Sequence, residues 1–233
     1  MSVPTLRLDD RDYRVRAVLK EDRYAKSSLL EDSRGRKFVF KESVMRLPPG
    51  VRIPPLAALL ARHEAALYGR LDGVRGVPRL VSRPRPDAFL REFVEGATVR
   101  ETDPLPRGFF SSLEAVLREV HARGIAYVDL AKEENVLVGD DGNAWLVDFQ
   151  ISIAREGPLR ALVGRFQRED LYHLSKMRLR RAPAEATDED RRRVAGRGRL
   201  GRIHRATVKK AYNLLTRYLV KRWSGAGEGR GKP

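Results

Sequence analysis

Three oxygen-bearing side chains near the middle of the chain have the types and spacing needed to hold a metal ion and a reacting hydroxyl. Asp129 and Asn135 are six positions apart in a polar stretch, and Asp148 follows at the end of an apolar run. Carboxylate and amide oxygens suit Mg²⁺, and a further carboxylate can align an acceptor hydroxyl. Phosphoryl transfer needs such groups together with a cation on the phosphates. Taken singly, such aspartates are more often structural: Asp129 could cap a turn, and Asp148 could simply end a strand.

A predicted hairpin lies between Asn135 and Asp148. Residues 136–138 and 144–147 are short apolar runs, and the Gly-Asp-Asp-Gly sequence at residues 139–142 is typical of a tight turn. The hairpin would return the chain to the polar stretch, so that Asp148 lies near Asn135.

The first part of the chain predicts an antiparallel sheet with one helix. Apolar residues at helical spacing over residues 56–71 indicate the helix, which carries Glu64. Lys41 lies at the end of the third of five predicted strands. These strands are residues 13–19, 27–30, 36–41, 77–81 and 88–94.

Beyond residue 96 the pattern becomes mostly helical. Residues 109–121 form an amphipathic pattern that Gly124 would terminate, and residues 168–181 and 203–223 predict further helices. We expect the Arg- and Gly-rich residues 191–202 to be exposed and mobile, and residues 224–233 to be disordered.

Two motifs in this frame resemble a known family. The sequence V-D-L-A-K-E-E-N-V-L-V at residues 128–138, followed by W-L-V-D-F-Q at residues 145–150, resembles the catalytic loop and metal-binding motif of protein-kinase-like phosphotransferases. Among these it is similar to compact bacterial and atypical members, the RIO-type kinases and the kinases of lipopolysaccharide core sugars. The resemblance implies that Asp129 is the catalytic base, Asn135 a magnesium ligand and Asp148 the principal magnesium ligand.

Upstream segments extend the resemblance. The sequence F-V-F-K that ends at Lys41 resembles the family's third-strand motif. This implies that Lys41 contacts the α- and β-phosphates of ATP and takes part in catalysis, with Glu64 as its ion-pair partner. Asp170 stands where a helix aspartate of such kinases braces the catalytic loop.

The resemblance also implies where the base of the nucleotide binds. Residues 92–96, with the sequence E-F-V-E-G, fall where the family's hinge binds adenine through backbone groups. Glu92 and Val94 are therefore candidate nucleotide-binding residues, and ATP and Mg²⁺ are the implied cofactors.

The chain departs from the family pattern in the segment that would cover the nucleotide phosphates. No G-x-G-x-x-G lies between the first two strands, so Lys20, Arg23 or Lys26 would have to supply charge there instead.

The catalytic loop departs from the pattern as well. Asp129 and Asn135 are six apart, whereas the family motif places them about five apart. Either Asn135 is displaced, or Glu134 takes over its role. Tyr127 and Val128 replace the motif's His and Arg, which disfavours control by a phosphorylated activation loop.

Composition limits the class of protein. The chain has 233 residues, no cysteine and a net charge of +16, which excludes disulfides and thiolate chemistry and implies attraction to an anionic partner. No secretory signal or membrane-spanning run is evident, so we expect a cytoplasmic protein, with peripheral attachment at the inner face of the membrane as a further option. The basic pattern at residues 203–223 suits either a solvated helix face or docking on anionic lipid or RNA.

These observations predict an α+β, two-lobed protein-kinase-like fold. Residues 1–95 would form an N-lobe with an antiparallel sheet and one helix, and residues 96–223 a small helical C-lobe. The predicted function is ATP-dependent transfer of the γ-phosphate to a hydroxyl of a protein Ser/Thr, a sugar or a lipid-linked sugar. A pseudokinase scaffold that uses the basic C-terminal region to bind RNA, membrane or a partner remains the alternative. A purely nucleic-acid-binding protein would rest on charge alone.

Overall fold

A computed structural model describes residues 4–22, 24–47, 51–156 and 160–196. The first part of the chain forms a six-stranded antiparallel sheet in the order β1-β2-β3-β4-β8-β7, one helix, and a separate β5–β6 hairpin. The elements are β1 (Thr5–Leu8), β2 (Arg11–Glu21), β3 (Ala25–Glu31), β4 (Lys37–Ser43), β5 (Arg46–Leu47), β6 (Val51–Arg52), α1 (Pro54–Arg70), β7 (Leu80–Arg85) and β8 (Ala88–Glu92).

The sequence-based count of five strands was one too low for this sheet. Strand β1 is the additional one, and it pairs with β2 through a turn in which Asp9 and Asp10 both have positive φ. Its four residues alternate between polar and apolar side chains only twice, and a pattern this short next to a charged turn does not predict a strand. The strand predicted at residues 77–81 begins at Leu80, because Val77 packs into the core below the sheet.

The two faces of the sheet are packed differently. One face carries an apolar cluster that includes Tyr13, Leu30, Phe38, Phe40 and Leu90. The opposite face packs on α1, where the prolines at the helix start need no hydrogen-bond partner for a backbone N–H. This second face carries Lys41 towards the helix and the second part of the chain.

The second part of the chain contains three larger helices and short strands. They are β9 (Gly96–Thr98), α2 (Phe109–Ala122), β10 (Ile125–Ala126), β11 (Val136–Gly139), β12 (Ala144–Leu146), β13 (Ile153–Ala154), α3 (Val163–Arg181) and α4 (Asp188–Ala195). The predicted β11–β12 hairpin is confirmed, and β9 adds a third strand to it. Gly96 has φ +139°, and a Cβ there would lie 2.0 Å from the carbonyl oxygen of Val138, so only glycine fits this pairing.

Two predictions for the later helices were wrong. Helix α3 begins at Val163 rather than at residue 168, and residues 191–195 belong to α4 rather than to a mobile stretch. Thr187 and Asp190 form a capping box at the start of α4, and Arg178 of α3 donates to the buried Asp190 at 2.8 Å. Residues 197–202, the predicted helix at 203–223 and the predicted tail at 224–233 lie outside the described residues.

One large apolar core joins the underside of the sheet to the helices of the second part. It contains Tyr68 of α1, Phe89 of β8, Leu117 of α2 and Phe149, all fully buried. Within the described ranges, no helix combines the length and apolar character needed to cross a bilayer.

Candidate active site

Lys41 is the centre of a buried cluster of charges. Its ammonium donates to Glu64 Oε1 at 2.9 Å and to Asp148 Oδ1 at 2.7 Å, and Glu64 Oε2 lies 2.8 Å from the same nitrogen. Lys41 and Glu64 are 6% and 1% exposed, so their charges have little water around them. The predicted ion pair between these two residues is therefore present, formed by β4 and α1.

The carboxylates decide the protonation of Lys41. Burial disfavours the charged ammonium, but Asp148 and Glu64 outweigh burial and raise the pKa of Lys41 above its ordinary value. Burial raises the pKa of Glu64, and the positive charge of Lys41 opposes that rise. The site therefore holds a permanent cation against two acidic groups.

Asp148 is held in an unusual backbone conformation two residues after the end of β12. Its φ is +64°, in the left-handed region, and its N–H donates to the Tyr68 hydroxyl at 3.1 Å. Burial opposes ionisation, but Lys41, Lys20 and Lys132 outweigh it and lower the pKa of Asp148 to about 2. This carboxylate is therefore ionised at neutral pH and available to a cation.

Asp129 lies on the other side of the site with one of its oxygens already engaged. Lys132 Nζ donates to Oδ2 at 2.7 Å, and Asn135 Nδ2 donates to the same oxygen at 2.8 Å. Among the described residues, no side chain binds Oδ1, which can therefore accept the proton of a bound hydroxyl. Burial outweighs Lys132 and raises the pKa of Asp129, and the nearby charge of Asp148 adds to this rise.

The extra residue of the catalytic loop is absorbed by a turn of 3₁₀-helix over Glu133–Asn135. Glu133 turns to Arg180, and Glu134 pairs with Arg100 at the surface. Asn135 stays buried against Asp129. Of the two possibilities left open by the spacing, the structure places Asn135, and not Glu134, beside the carboxylates.

The loop that carries Asp129 is braced from α3. The buried Asp170 carboxylate accepts the N–H of Tyr127 and of Val128, each at 2.8 Å, and lies 3.0 Å from His121 Nε2. Val128 has φ +73°, a costly conformation that these two hydrogen bonds hold in place. The bracing expected of Asp170 is confirmed, and it fixes the backbone immediately before Asp129.

Tyr127 links the two halves of the site. Its hydroxyl lies within hydrogen-bonding distance of the carbonyl oxygens of Asn135 and Val147, the latter directly before Asp148. Its ring stacks edge-on against Phe149, with 5.0 Å between centroids, and Phe149 in turn contacts Tyr68. Sequence reasoning gave Tyr127 no such role, nor one to Tyr68 or Lys132. Two sequence signals could have indicated these roles. Tyr68 lies one helical turn after Glu64, and Lys132 lies three residues after Asp129.

In the described part of the turn between β2 and β3, a side chain already accepts the backbone N–H groups that could otherwise bind phosphate. Asp22 Oδ1 accepts the N–H groups of Tyr24 and Ala25 at 2.8 and 2.9 Å, so these donors are already used. Lys20 is paired through Ser27 with Lys41, which places it on the face of the sheet that carries the site. Lys26 is on the opposite face, and Arg23 lies outside the described residues.

The segment predicted to bind the base begins where β8 ends. The Glu92 side chain turns outward to Arg79, 3.0 Å away, so any role of Glu92 in the site falls to its backbone. Val94 is buried. A cavity of about 250 Å³ borders the segment and is lined partly by Asp140 and Trp145, but by none of the charged residues around Lys41. The roles of Glu92 and Val94 stay predictions.

A magnesium ion fits the donor set of the site. Asp148 is ionised and close enough to Asp129 for its charge to raise the pKa of Asp129, and Asn135 adds an amide oxygen. Within the described part of the chain, no three His, Cys, Asp or Glu side chains converge on one point. Mg²⁺ does not need such a cage, because it usually keeps waters and takes further ligands from a substrate phosphate.

Comparison with known proteins identifies the fold. No family model matches the chain. The chain is similar to Rio2 kinase from Chaetomium thermophilum in a structure of the Rio2 kinase-ADP/Mg2+-phosphoaspartate complex, with a TM-score of 0.58 and 15% identity over 89% of this chain and 72% of that chain. A second Rio2 kinase structure from the same organism matches with a TM-score of 0.56 and 16% identity, over 75% of this chain and 60% of that chain. The chain therefore has an α+β, protein-kinase-like fold of the RIO type, as predicted. The resemblance to lipopolysaccharide core kinases stays a prediction.

Proposed function

We propose that the chain is a phosphotransferase that uses ATP and Mg²⁺ to phosphorylate a hydroxyl group. The observation that carries this proposal is the convergence of Lys41, Asp148 and Asn135 from three separate elements on one site beside Asp129. Structural ion pairs do not need an amide ligand and a second carboxylate at such a point, whereas phosphoryl transfer does.

The roles follow from the positions of the groups. Mg²⁺ would bind Asp148 and Asn135 and offset the charge of the nucleotide phosphates. Lys41 would exchange part of its contact with Asp148 for the α- and β-phosphates, and Glu64 would keep its ammonium in place. Asp129 would align the acceptor hydroxyl through Oδ1, and its raised pKa makes it a better proton acceptor than an ordinary aspartate.

The acceptor is proposed only by class, as a protein Ser/Thr, a sugar or a lipid-linked sugar. A screen of these acceptors with γ-labelled ATP tests the function directly. We expect labelled product with the unaltered chain, loss of product with Asp129→Ala, and nucleotide binding that is largely retained in that variant. Full turnover by Asp129→Ala would exclude the proposed mechanism.

A catalytically weak scaffold is the second candidate, and the turn between β2 and β3 favours it. Because Asp22 accepts the N–H groups of Tyr24 and Ala25, these two donors would hold the phosphates less firmly than those of a glycine-rich loop. In this case a nucleotide would bind with little dependence on Mg²⁺, and no acceptor would be labelled. RNA, membrane or a protein partner would then be bound through the basic C-terminal residues.

A further inference from the structure

Arg91 projects from the face of the sheet that carries Lys41. In the pairing of β4 with β8, Arg91 lies opposite Val39 and Phe89 lies opposite Lys41. Paired residues share a face of the sheet, and so do alternate residues along a strand. This face points towards α1, since the Phe89 ring lies 5.7 Å from the Tyr68 ring. Arg91 therefore stands two residues from Phe89, on the same side as the phosphate-binding candidates.

An apolar strip leads from Lys41 to Arg91. Val39, two residues before Lys41, is buried, and it is paired with Leu29, which is itself paired with Ala17. Two residues along a strand span about 7 Å. A nucleotide with its phosphates at Lys41 would thus extend beneath this strip, with its base towards the end of β8.

The guanidinium of Arg91 covers a backbone acceptor at that end. Its Nη1 donates to the carbonyl oxygen of Glu92 at 2.9 Å, and the side chain is half-buried. The positive charge of Arg91 also opposes the burial effect on the pKa of Glu64 and of Tyr68, which places it near the cluster around Lys41. In the segment proposed to bind the base, N–H donors of the Arg91 guanidinium therefore lie beside the carbonyl oxygen of Glu92.

We propose that Arg91 selects the base of the nucleotide, and that the chain binds a purine with an oxygen at C6, as in guanine, at least as tightly as adenine. Arginine carries donors only. Its bond to Glu92 occupies one of the two lone pairs of a carbonyl oxygen to which the amino group of adenine would donate, and so weakens that acceptor, while its remaining N–H groups match O6 and N7 of guanine. The inference rests on the proposed function, because it takes the nucleotide site as given.

The test compares hydrolysis-resistant ATP and GTP analogues as magnesium complexes, titrated calorimetrically into the full chain. We expect the GTP analogue to bind at least as tightly as the ATP analogue. The Arg91→Met variant removes the donors at similar volume, and should shift the affinity ratio about tenfold towards ATP. Arg79→Met is the matched control, because Arg79 contacts the side chain of Glu92 and not its carbonyl, and its ratio should stay that of the unaltered chain.

Each outcome bears on a different statement. If the ATP analogue binds the unaltered chain more tightly than the GTP analogue, or if Arg91→Met leaves the ratio unchanged, the base preference is wrong and the proposed function stands. If neither analogue binds, both are wrong. Inosine triphosphate gives a measurement that needs no variant: it has the C6 oxygen without the amino group of guanine, and it should bind as GTP does. Weaker binding of inosine triphosphate than of ATP would contradict recognition of the C6 oxygen by Arg91.

Discussion

The hydroxyl of Tyr68 accepts a hydrogen bond from the backbone N–H of Asp148 at 3.1 Å. Tyr68 is on α1, one helical turn after Glu64, so the same helix face holds both Lys41 and the backbone of Asp148. Burial raises the pKa of Tyr68 to about 12, which keeps its hydroxyl neutral at physiological pH. The left-handed conformation of Asp148 thus has a specific support outside its own loop.

Replacing Tyr68 by Phe should weaken magnesium binding without unfolding the chain. The ring would still pack against Phe149, but the N–H of Asp148 would lose its acceptor, at a cost of about 1–3 kcal/mol. We expect the magnesium concentration for half-maximal nucleotide binding to rise about tenfold, measured by titration at fixed nucleotide. Tyr13→Phe, a buried tyrosine on the opposite face of the sheet, is the control. Equal magnesium dependence in the two variants would contradict a role for the Tyr68 hydroxyl.

Lys20 and Lys26 form a matched pair for testing the missing glycine-rich loop. Lys20 faces the site and contributes to the lowered pKa of Asp148, whereas Lys26 lies on the opposite face of the sheet. Lys20→Met should raise the dissociation constant of the magnesium–nucleotide complex by roughly fivefold, and high salt should reduce the difference. Lys26→Met should leave the constant unchanged. An equal loss in both variants would mean that only the net charge matters.

Asp129→Asn should stabilise the fold at neutral pH while it reduces turnover. The pKa of Asp129 is raised by burial, and an acid whose pKa is higher in the folded state loses stability as the pH rises through that pKa. The uncharged asparagine avoids this cost, so its melting temperature should exceed that of the unaltered chain at pH 7.

The gain from Asp129→Asn should shrink as the pH falls, and it should vanish below the ordinary aspartate value of about 3.9, because the carboxyl is then protonated in both states. Turnover should fall by about 10²–10⁴-fold, as expected on loss of a general base. Thermal unfolding across the pH range checks the first statement, and labelled phosphate transfer checks the second. A lower melting temperature at pH 7 would show that Asp129 is a structural residue.

Two glycine substitutions should change stability in opposite directions. A side chain at Gly96 would meet the carbonyl oxygen of Val138, so Gly96→Ala should lower the free energy of unfolding by at least about 2 kcal/mol. Gly164 lies in the first turn of α3, and an added Cβ would meet no atom within 4 Å beyond the adjacent residues and backbone of its own helix, so Gly164→Ala should raise the free energy of unfolding by about 0.5 kcal/mol. Urea unfolding measures both. If Gly96→Ala is tolerated, the β9–β11 pairing is not as described.

The part of the site carried by local patterns was predictable from the sequence. The hairpin between Asn135 and Asp148, the helix that holds Glu64 and the strand that holds Lys41 all follow from residue periodicity and turn chemistry. These signals act over a few residues, and they predicted the fold together with the resemblance of the motifs at residues 128–138 and 145–150 to protein-kinase-like phosphotransferases. Helix α4 has a local signal, the capping box of Thr187 and Asp190, but its arginine-rich residues were interpreted as a mobile stretch, and the contact with Arg178 of α3 that anchors it is tertiary.

The sequence by itself therefore determined which residues are candidates for the chemistry and which elements they belong to. Only the tertiary structure decided which neighbours those residues meet. Lys20 and Arg91 join the site because strand register places them on the face of Lys41, and Tyr68 joins it because α1 packs beneath that face. Register and packing depend on contacts between residues far apart in the chain, and a single sequence carries no local signal for them.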